Sequence, residues 1–280
     1  MFSGEKDKIW KEYGRKMKLI LENYRDGTEF NIHAEPDGLI HAAVPGMALT
    51  WMDAFAQGKP VTQRPGKVVE INALWYNAIR FSLELAEEAG DQEFVEAWHH
   101  LADRIPESFV KVFWNPAKKY LADYVDGEYK DWTVRPNMVI VASLPYSPVS
   151  EEIRKEVLSR VRQELMTPRG LRTLTPKSPV YKGVYAGNQN EREAAYHQGS
   201  ISPWLTGHFV EGYLKIHGRS GLTFVKNILA EFEPVVGEHG IGTISELYDG
   251  DPPHHGRGAI SQASSVAEVL RMGYLIDMYK

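Results

Sequence analysis

The feature that most constrains the fold of this sequence is the recurrence of apolar residues at helical spacing. Residues 5–24 show the pattern, with Trp10, Met17 and Leu21 among the apolar positions. The same periodicity, bounded by capping residues, Gly and Pro, predicts further helices over residues 68–88, 91–113, 136–144, 151–165, 203–217, 222–234 and 262–279. Short β-hairpins are expected at 30–41 and 120–130, where Asp-Gly pairs mark turns. The sequence therefore predicts an all-α protein whose strands are confined to loops.

The predicted helices come in pairs with long loops between the pairs. Helical hairpins can stack as a solenoid or close into a toroid, and the absence of a regular repeat disfavours a solenoid. The segments 167–198 and 236–260 are long and rich in glycine, and loops of that length in a compact domain are usually functional. A toroid gathers such loops at one end, where they can form a pocket. We expect a single domain over residues 1–280.

Composition narrows the possible functions. The net charge of −5 disfavours a nucleic-acid partner, and the absence of cysteine excludes disulfides and thiolate chemistry. No apolar run approaches the roughly 20 residues of a membrane span, and the charged N-terminal segment does not resemble a signal peptide. These features predict a cytoplasmic protein without nucleic-acid or membrane partners.

Polar and aromatic side chains are concentrated in four loop segments, at residues 51–53, 135–137, 171–198 and 242–251. Aromatic rings can stack on the C–H faces of a sugar, while amides and guanidiniums bond its hydroxyls. Any one of these side chains is more often core or solvated surface. Their concentration in loops nevertheless favours a sugar-binding site.

Two carboxylates in these loops are candidates for an acid/base pair. Asp53 lies beside Trp51, and Glu246 lies in the second long loop. Glycoside hydrolysis needs one acid to protonate the leaving oxygen and one carboxylate to activate water or attack. Glu70, Glu193 and Asp249 compete on local grounds, although each is more often a cap or an ion-pair partner.

Other kinds of site find less support. His254-His255 and His99-His100 are adjacent pairs, whose side chains do not converge on a metal. The sequence contains no P-loop, dinucleotide fingerprint or zinc-protease motif, and Ser200 lacks a nucleophile elbow. No metal and no organic cofactor are therefore expected.

Several motifs resemble one known family. The most specific are Leu49-Thr50-Trp51-Met52-Asp53-Ala54, Ala195-Tyr196-His197-Gln198-Gly199-Ser200-Ile201-Ser202-Pro203-Trp204 and Gly242-Thr243-Ile244-Ser245-Glu246-Leu247-Tyr248-Asp249-Gly250. Further matches lie at residues 69–78, 135–137, 170–174 and 181–185. In this order they resemble the C-terminal amylo-α-1,6-glucosidase domain of bacterial and archaeal glycogen debranching enzymes.

The resemblance implies an (α/α)6 toroid of the six-hairpin glycosidase type. It also implies inverting hydrolysis of the α-1,6-linked glucose at branch points of glycogen, limit dextrin or a related branched α-glucan. Asp53 aligns with the general acid and Glu246 with the general base. The matching segments predict substrate-binding roles for Trp51, Glu70, Asn72, Arg135, Asn137, Arg172, Tyr181, Tyr185, His197, Gln198, Trp204 and Gln262.

The chain departs from the family pattern in places. Met138 replaces a usual Gln, Ser200 a usual Thr, and Ser202 a usual Trp, which removes an aromatic wall. A closed toroid of this type has twelve helices, whereas the periodicity predicts about eight. We therefore expect the C-terminal portion of a longer enzyme, with a toroid incomplete at its N-terminal end. Exposed helix faces would then favour a homodimer.

Three alternatives to a debranching glucosidase stay open at this point. Ser202 leaves room for a related α-glucosidase on the same fold. The small number of predicted helices leaves room for a non-catalytic glycan-binding fragment. A helical scaffold for protein partners would place Trp51, Tyr185 and Trp204 in the core.

Overall fold

The computed structural model describes residues 6–280 and is mainly helical. Within that range the α-helices are α1 (Lys6–Asp26), α2 (Val69–Ala89), α3 (Gln92–Phe113), α4 (Met138–Ser143), α5 (Glu151–Glu164), α6 (Gln189–Tyr196), α7 (Trp204–His217), α8 (Leu222–Ala230) and α9 (Ala263–Met278). Short 3-10 helices lie at Glu29–Asn31, Gly218–Gly221 and Pro234–Gly237. All eight predicted helices are confirmed, and α6 is an addition. The predicted start at residue 5 lies outside the described residues.

Helix α4 lies at the centre of the helical packing. All six of its residues are buried, and a helix that is apolar on every side must be covered on every side. Helices α2, α5 and α7 pack against it. From there the packing extends through α2 to α1 and α3, and through α7 to α9. Trp98, Phe109 and Phe113 of α3 supply the largest buried rings on the α2 side.

Side-chain caps explain where several helices begin. The carboxylate of Asp91 accepts from the backbone N–H of Phe94 at 3.3 Å, and the Ser150 hydroxyl accepts from that of Ile153 at 3.4 Å. Both caps follow the usual preference for a short polar side chain at this position. Gly90 ends α2 with a left-handed backbone at φ 75°. No helix in residues 6–280 combines the length and apolar character required to cross a bilayer.

The strands are two or three residues long. They are β1 (His33–Ala34), β2 (Ile40–His41), β3 (Phe55–Ala56), β4 (Lys59–Pro60), β5 (Lys67–Val68), β6 (Trp114–Asn115), β7 (Tyr120–Leu121), β8 (Tyr124–Asp126), β9 (Tyr129–Lys130), β10 (Met166–Thr167), β11 (Gly170–Arg172), β12 (Ile201–Ser202), β13 (Leu247–Tyr248) and β14 (Gly256–Arg257). The hairpins β1–β2 and β8–β9 confirm the two predicted ones.

An antiparallel sheet of order β10-β11-β12-β13-β14 joins the two long loops. Arg172 of β11 pairs with Ile201 of β12, and Ile201 in turn pairs with Tyr248 of β13. The sequence did not predict this sheet, because each strand is too short to show alternation. The pairing brings the segment that follows α6 beside the segment that contains Glu246.

Candidate active site

The loop that carries Asp53 is anchored by the residues on either side of it. Met52 and Ala54 are buried. The Met52 carbonyl accepts from the Thr62 hydroxyl at 2.9 Å, and the Ala54 carbonyl accepts from the Val61 N–H at 2.9 Å. Between these anchors the Asp53 side chain is exposed. The loop therefore presents a carboxyl group to solvent from a fixed backbone.

Aromatic rings pack against Trp51, which lies two positions before Asp53 in the sequence. Trp51 lies edge-on to Trp204, with ring centroids 5.2 Å apart, and edge-on to His197 at the same separation. Its indole N–H donates to Asn137 Oδ1 at 2.9 Å. The ring orientation of Trp51 is thus fixed by two aromatic contacts and one hydrogen bond. Four predicted site residues come together here.

Glu246 is held by two donors, one on each carboxylate oxygen. The Tyr196 hydroxyl donates to Oε1, and the Ala259 N–H donates to Oε2 at 2.8 Å. Gly258 has a left-handed backbone with φ 66°, and a Cβ atom there would collide with the Glu246 carboxylate. The loop after β14 therefore approaches the carboxylate closely only because it carries glycine.

Tyr196 is the side-chain partner of Glu246. Its hydroxyl donates to Glu246 Oε1. Burial, the hydrogen bond to Glu246 and the negative charges of Glu246 and Asp53 all raise the pKa of Tyr196. The hydroxyl consequently stays protonated and acts as a donor.

Two further tyrosines of the same long segment, Tyr185 and Tyr181, are held by packing and hydrogen bonds. The Tyr185 ring lies 5.7 Å from that of Tyr196, and the Tyr185 backbone N–H donates to Asp249 Oδ1 at 2.8 Å. Tyr181 donates to Asp251 at 2.9 Å, and burial followed by this hydrogen bond raises the pKa of Tyr181 to about 12. The Tyr185 ring is only partly buried.

Arg172 and Asp249 connect the strands of the sheet. The Arg172 Nε donates to the Gly250 carbonyl at 2.9 Å. Asp249 is buried and receives two nitrogens of Arg257, the shorter contact being 2.8 Å. Asp249 therefore belongs to an ion pair, as its local context had suggested. Beside them a cleft of about 430 Å³ is lined by residues that include Tyr185, Arg192, His239 and Gly258.

A buried network of charges supports Trp51, the residue two positions before Asp53. The guanidinium of Arg64 bonds both oxygens of Glu70, at 2.5 and 2.7 Å, and both oxygens of Asp123, at 2.6 and 2.9 Å. Burial opposes the charge of Arg64, but the carboxylates of Asp123 and Glu70 raise its pKa. Asp123 Oδ1 also accepts from Asn137 Nδ2 at 2.8 Å. Through Asn137 the network reaches the indole of Trp51.

Two residues predicted to bind substrate lie inside this packing. Glu70 is 1% exposed and pairs with Arg64, while Asn72 is fully buried. The Asn72 amide accepts from the Ile40 N–H and donates to the carbonyls of Ile40 and Val68. Because their polar atoms are used internally, we assign both residues a supporting role behind the site.

Arg135 organises the segment that follows α6. It donates to the His197 carbonyl at 2.7 Å and to Gln198 Oε1 at 2.8 Å. His197 is 2% exposed, and its Nδ1 has no hydrogen-bond partner among the described residues. Burial, then the charges of Arg135 and Arg64, lower the pKa of His197 to about 3. Its ring is therefore neutral at ordinary pH.

Gln262 lies at the start of α9 and is partly buried. Its backbone N–H donates to the Ile244 carbonyl at 3.0 Å, which fixes the end of the loop that contains Glu246. Among residues 6–280, no cluster of three or more His, Cys, Asp or Glu side chains has an arrangement that could hold a metal ion.

The chain matches the family model described as amylo-alpha-1,6-glucosidase over residues 2–271. This chain belongs to the amylo-α-1,6-glucosidase family. It is 26% identical over 236 residues to the glycogen debranching enzyme of Saccharomyces cerevisiae, a match that covers 67% of this chain and 15% of the yeast protein. The family match confirms the family expected from the motifs.

A solved structure supports the fold of this glucosidase-family chain. The GH78 family rhamnosidase of Bacillus sp. GL1 superposes with a TM-score of 0.52 and 15% identity, covering 96% of this chain and 24% of that one. At that identity the likeness concerns the fold alone. It confirms the helical toroid of six-hairpin glycosidases. The chain spans only a small part of the length of either relative.

Three positions where this family member departs from the usual motifs have structural roles. Met138 is buried at the start of α4, and the buried Ser200 hydroxyl donates to the Tyr196 carbonyl. Ser202 pairs with Leu171 in the sheet and is partly buried. Serine is thus accommodated at both motif positions without disturbing the segment that follows α6.

Sequence reasoning missed Arg64 and Asp123 as site-supporting residues and left Tyr196 out of the predicted site. The motif beginning Ala195-Tyr196-His197 contained the signal for Tyr196, since its neighbours His197 and Gln198 were already included. No local signal marks Arg64 or Asp123, because each looks like a solvated surface charge in the sequence.

Proposed function

We propose that this chain hydrolyses the α-1,6-linked glucose at branch points of glycogen or limit dextrin by an inverting acid/base mechanism. The observation that supports this most directly is the environment of Tyr196. Its hydroxyl donates to Glu246, and the charge of Asp53 contributes to its raised pKa, which supports one site for the two carboxylates. Membership of the amylo-α-1,6-glucosidase family supports the linkage and the substrate class.

In this mechanism Asp53 protonates the glycosidic oxygen. Its exposed carboxyl group can reach a bound glucan, and the buried residues on either side hold its backbone. A sugar that covers the carboxyl group removes it from water, which favours the protonated form needed by a general acid. Trp51 and Trp204 provide apolar ring surface next to the same position.

Glu246 acts as the general base. With one donor on each oxygen, it is held in a fixed orientation and retains lone pairs for a water molecule. It removes a proton from that water as the water attacks the anomeric carbon from the face opposite the leaving oxygen. An inverting mechanism of this kind requires a carboxyl separation of roughly 6.5–9.5 Å, to leave room for the water.

Glucose release from a branched limit dextrin tests the proposal on the full chain. Asp53→Asn and Glu246→Gln should each lower kcat by at least about 10³-fold, because each removes an essential proton transfer. The matched controls are Asp126→Asn and Glu128→Gln, two exposed carboxylates at the β8–β9 turn, and they should keep the wild-type rate. Equal rates for the two active-site variants and their controls would reject both assignments.

The configuration of the released sugar tests the stereochemical part. An inverting enzyme acting on an α-linkage releases β-glucose first, which proton NMR detects before mutarotation. Release of α-glucose as the first product would show retention and would rule out Glu246 as a base acting on water.

Ser202 is the observation that favours a second candidate function, hydrolysis by a related α-glucosidase. It occupies the motif position where the family usually has Trp, and it is only partly buried. Comparing α-1,6-, α-1,4- and α,α-1,1-linked disaccharides with limit dextrin distinguishes the two functions. Binding of maltooligosaccharide without turnover of any of these substrates would instead favour a glycan-binding role.

A further inference from the structure

We propose that Tyr196 is a positioning residue for the reaction, whose hydroxyl holds the Glu246 carboxylate in place. The inference deepens the proposed function and rests on it, because it gives the general base a dedicated partner. Tyr196 is the last residue of α6, and its hydroxyl donates to Glu246 Oε1.

The Tyr196 ring is fixed before it reaches the carboxylate. It packs against the Tyr185 ring at 5.7 Å and the His197 ring at 4.4 Å. Its backbone carbonyl accepts from the Ser200 hydroxyl, which holds the end of α6 against the segment leading to β12. A fixed ring directs the hydroxyl to one point, so the orientation of Glu246 depends on it.

The second anchor of Glu246 is a backbone group. The Ala259 N–H donates to Oε2, and the Glu246 N–H donates back to the Ala259 carbonyl at 2.9 Å. Backbone donors cannot be removed by a simple substitution, whereas the Tyr196 hydroxyl can. Tyr196→Phe therefore deletes one anchor of the carboxylate and retains the ring packing.

The direction of this hydrogen bond is fixed. Since Tyr196 remains protonated, its hydroxyl can only donate to Glu246. The other titratable or charged groups around this pair are Asp53, Tyr185, Arg192, Glu193, His239 and the Arg257–Asp249 ion pair. None of these groups is changed by Tyr196→Phe. A difference between the wild type and the variant therefore reports the lost hydroxyl.

The rate of glucose release from limit dextrin is the first test, with kcat and KM measured separately. In Tyr196→Phe we expect kcat to fall about 10- to 100-fold because the base is less well oriented, and KM to stay within about twofold. A kcat equal to that of the wild type would overturn the inference, and so would a loss of activity that lies mainly in KM.

Tyr120→Phe is the matched control. The Tyr120 hydroxyl is also largely buried and donates to the Trp132 carbonyl at 2.9 Å. Its loss removes a comparable hydrogen bond that involves neither carboxylate, so kcat should match the wild type. If both phenylalanine variants lower kcat equally, the effect is general destabilisation and the inference is wrong.

A second measurement does not depend on turnover. In a crystal structure of Tyr196→Phe, the Glu246 carboxylate should rotate away from its wild-type orientation or occupy more than one orientation. A carboxylate in the wild-type orientation would overturn the inference even if Glu246→Gln is inactive. A reoriented carboxylate, together with a wild-type protein that releases no glucose, would reject the proposed function and leave the contact between Tyr196 and Glu246 established.

Discussion

Replacing His197 by phenylalanine should remove a source of acid instability. His197 is 2% exposed, packs edge-on against Trp51, and has an unpartnered Nδ1. Phenylalanine preserves a flat ring of similar size and introduces no titratable group. Near pH 8, where the wild-type ring is neutral in both states, we expect free energies of unfolding within about 1 kcal/mol of each other.

The size of the effect follows from the pKa of His197, which burial and the charges of Arg135 and Arg64 lower from 6.5 to about 3. Between these values the unfolded chain binds a proton that the native state does not bind. The free energy of unfolding therefore falls as the pH falls, by about 1.4 kcal/mol per pH unit. At pH 5 the loss relative to pH 8 amounts to about 2 kcal/mol.

Urea unfolding of both proteins at pH 8, 7, 6 and 5 measures this difference. The remaining ionisable groups are common to both chains, so the pH dependence of the difference isolates His197. Below pH 6.5, the free energy of unfolding of His197→Phe should rise steadily relative to that of the wild type. His255→Gln, which alters an exposed histidine, is the control. Its free energy of unfolding plotted against pH should run parallel to that of the wild type. Parallel curves for His197→Phe would mean that the ring is protonated in the native state, contrary to its buried position.

Three further outcomes are expected. Arg64→Met leaves the carboxylates of Glu70 and Asp123 buried without a cation, and should lower the free energy of unfolding by about 3–5 kcal/mol in the same urea assay; a loss below about 1 kcal/mol would contradict the network. Gly258→Ala places a methyl group against the Glu246 carboxylate at a backbone φ of 66°. It should lower kcat on limit dextrin about tenfold or more. An unchanged kcat would show that the loop moves to accommodate the methyl group without displacing Glu246. The predicted homodimer should give twice the chain mass in light scattering, and a single-chain mass at micromolar concentration would reject it.

The helices could be predicted because each long helix carries its own signal. Helices α2 and α3 each bury one face, so their apolar residues recur at helical spacing. Helix α6 was missed because its eight residues bury only Ala195, leaving no apolar face to detect. The start of α6 could nevertheless have been predicted from the sequence, since Asn188 and Glu191 form a capping box.

The five-stranded sheet could not be predicted for a different reason. A strand of two residues has no alternation, and β12 and β13 belong to loops that are far apart in the sequence. Their pairing, through Ile201 and Tyr248, is determined by tertiary packing. The acid/base assignment came from a resemblance between motifs, because nothing in the spacing of Asp53 and Glu246 indicates that they share a pocket.

Buried charges are the least predictable part of the site. Arg64 meets Asp123, which lies 59 positions away, and neither residue differs in the sequence from a solvated charge. Glu70 was expected to contact substrate because it lies in a matching motif, yet it is paired with Arg64 inside the protein. A motif match therefore identifies residues that the family arrangement needs, without separating those that touch a ligand from those that support them.

The two acids are supported in physically different ways, and the difference fits their proposed roles. A general base must hold a water molecule at a defined angle, and Glu246 has a donor on each oxygen, one from α6 and one from the loop after β14. A general acid must gain and lose a proton in every cycle, and Asp53 is exposed on a loop whose neighbours are buried. The network of Arg64, Asp123 and Asn137 fixes the indole of Trp51, two positions before Asp53. The protein therefore holds the carboxylate of the proposed base directly, whereas on the acid side it holds the neighbouring ring and backbone.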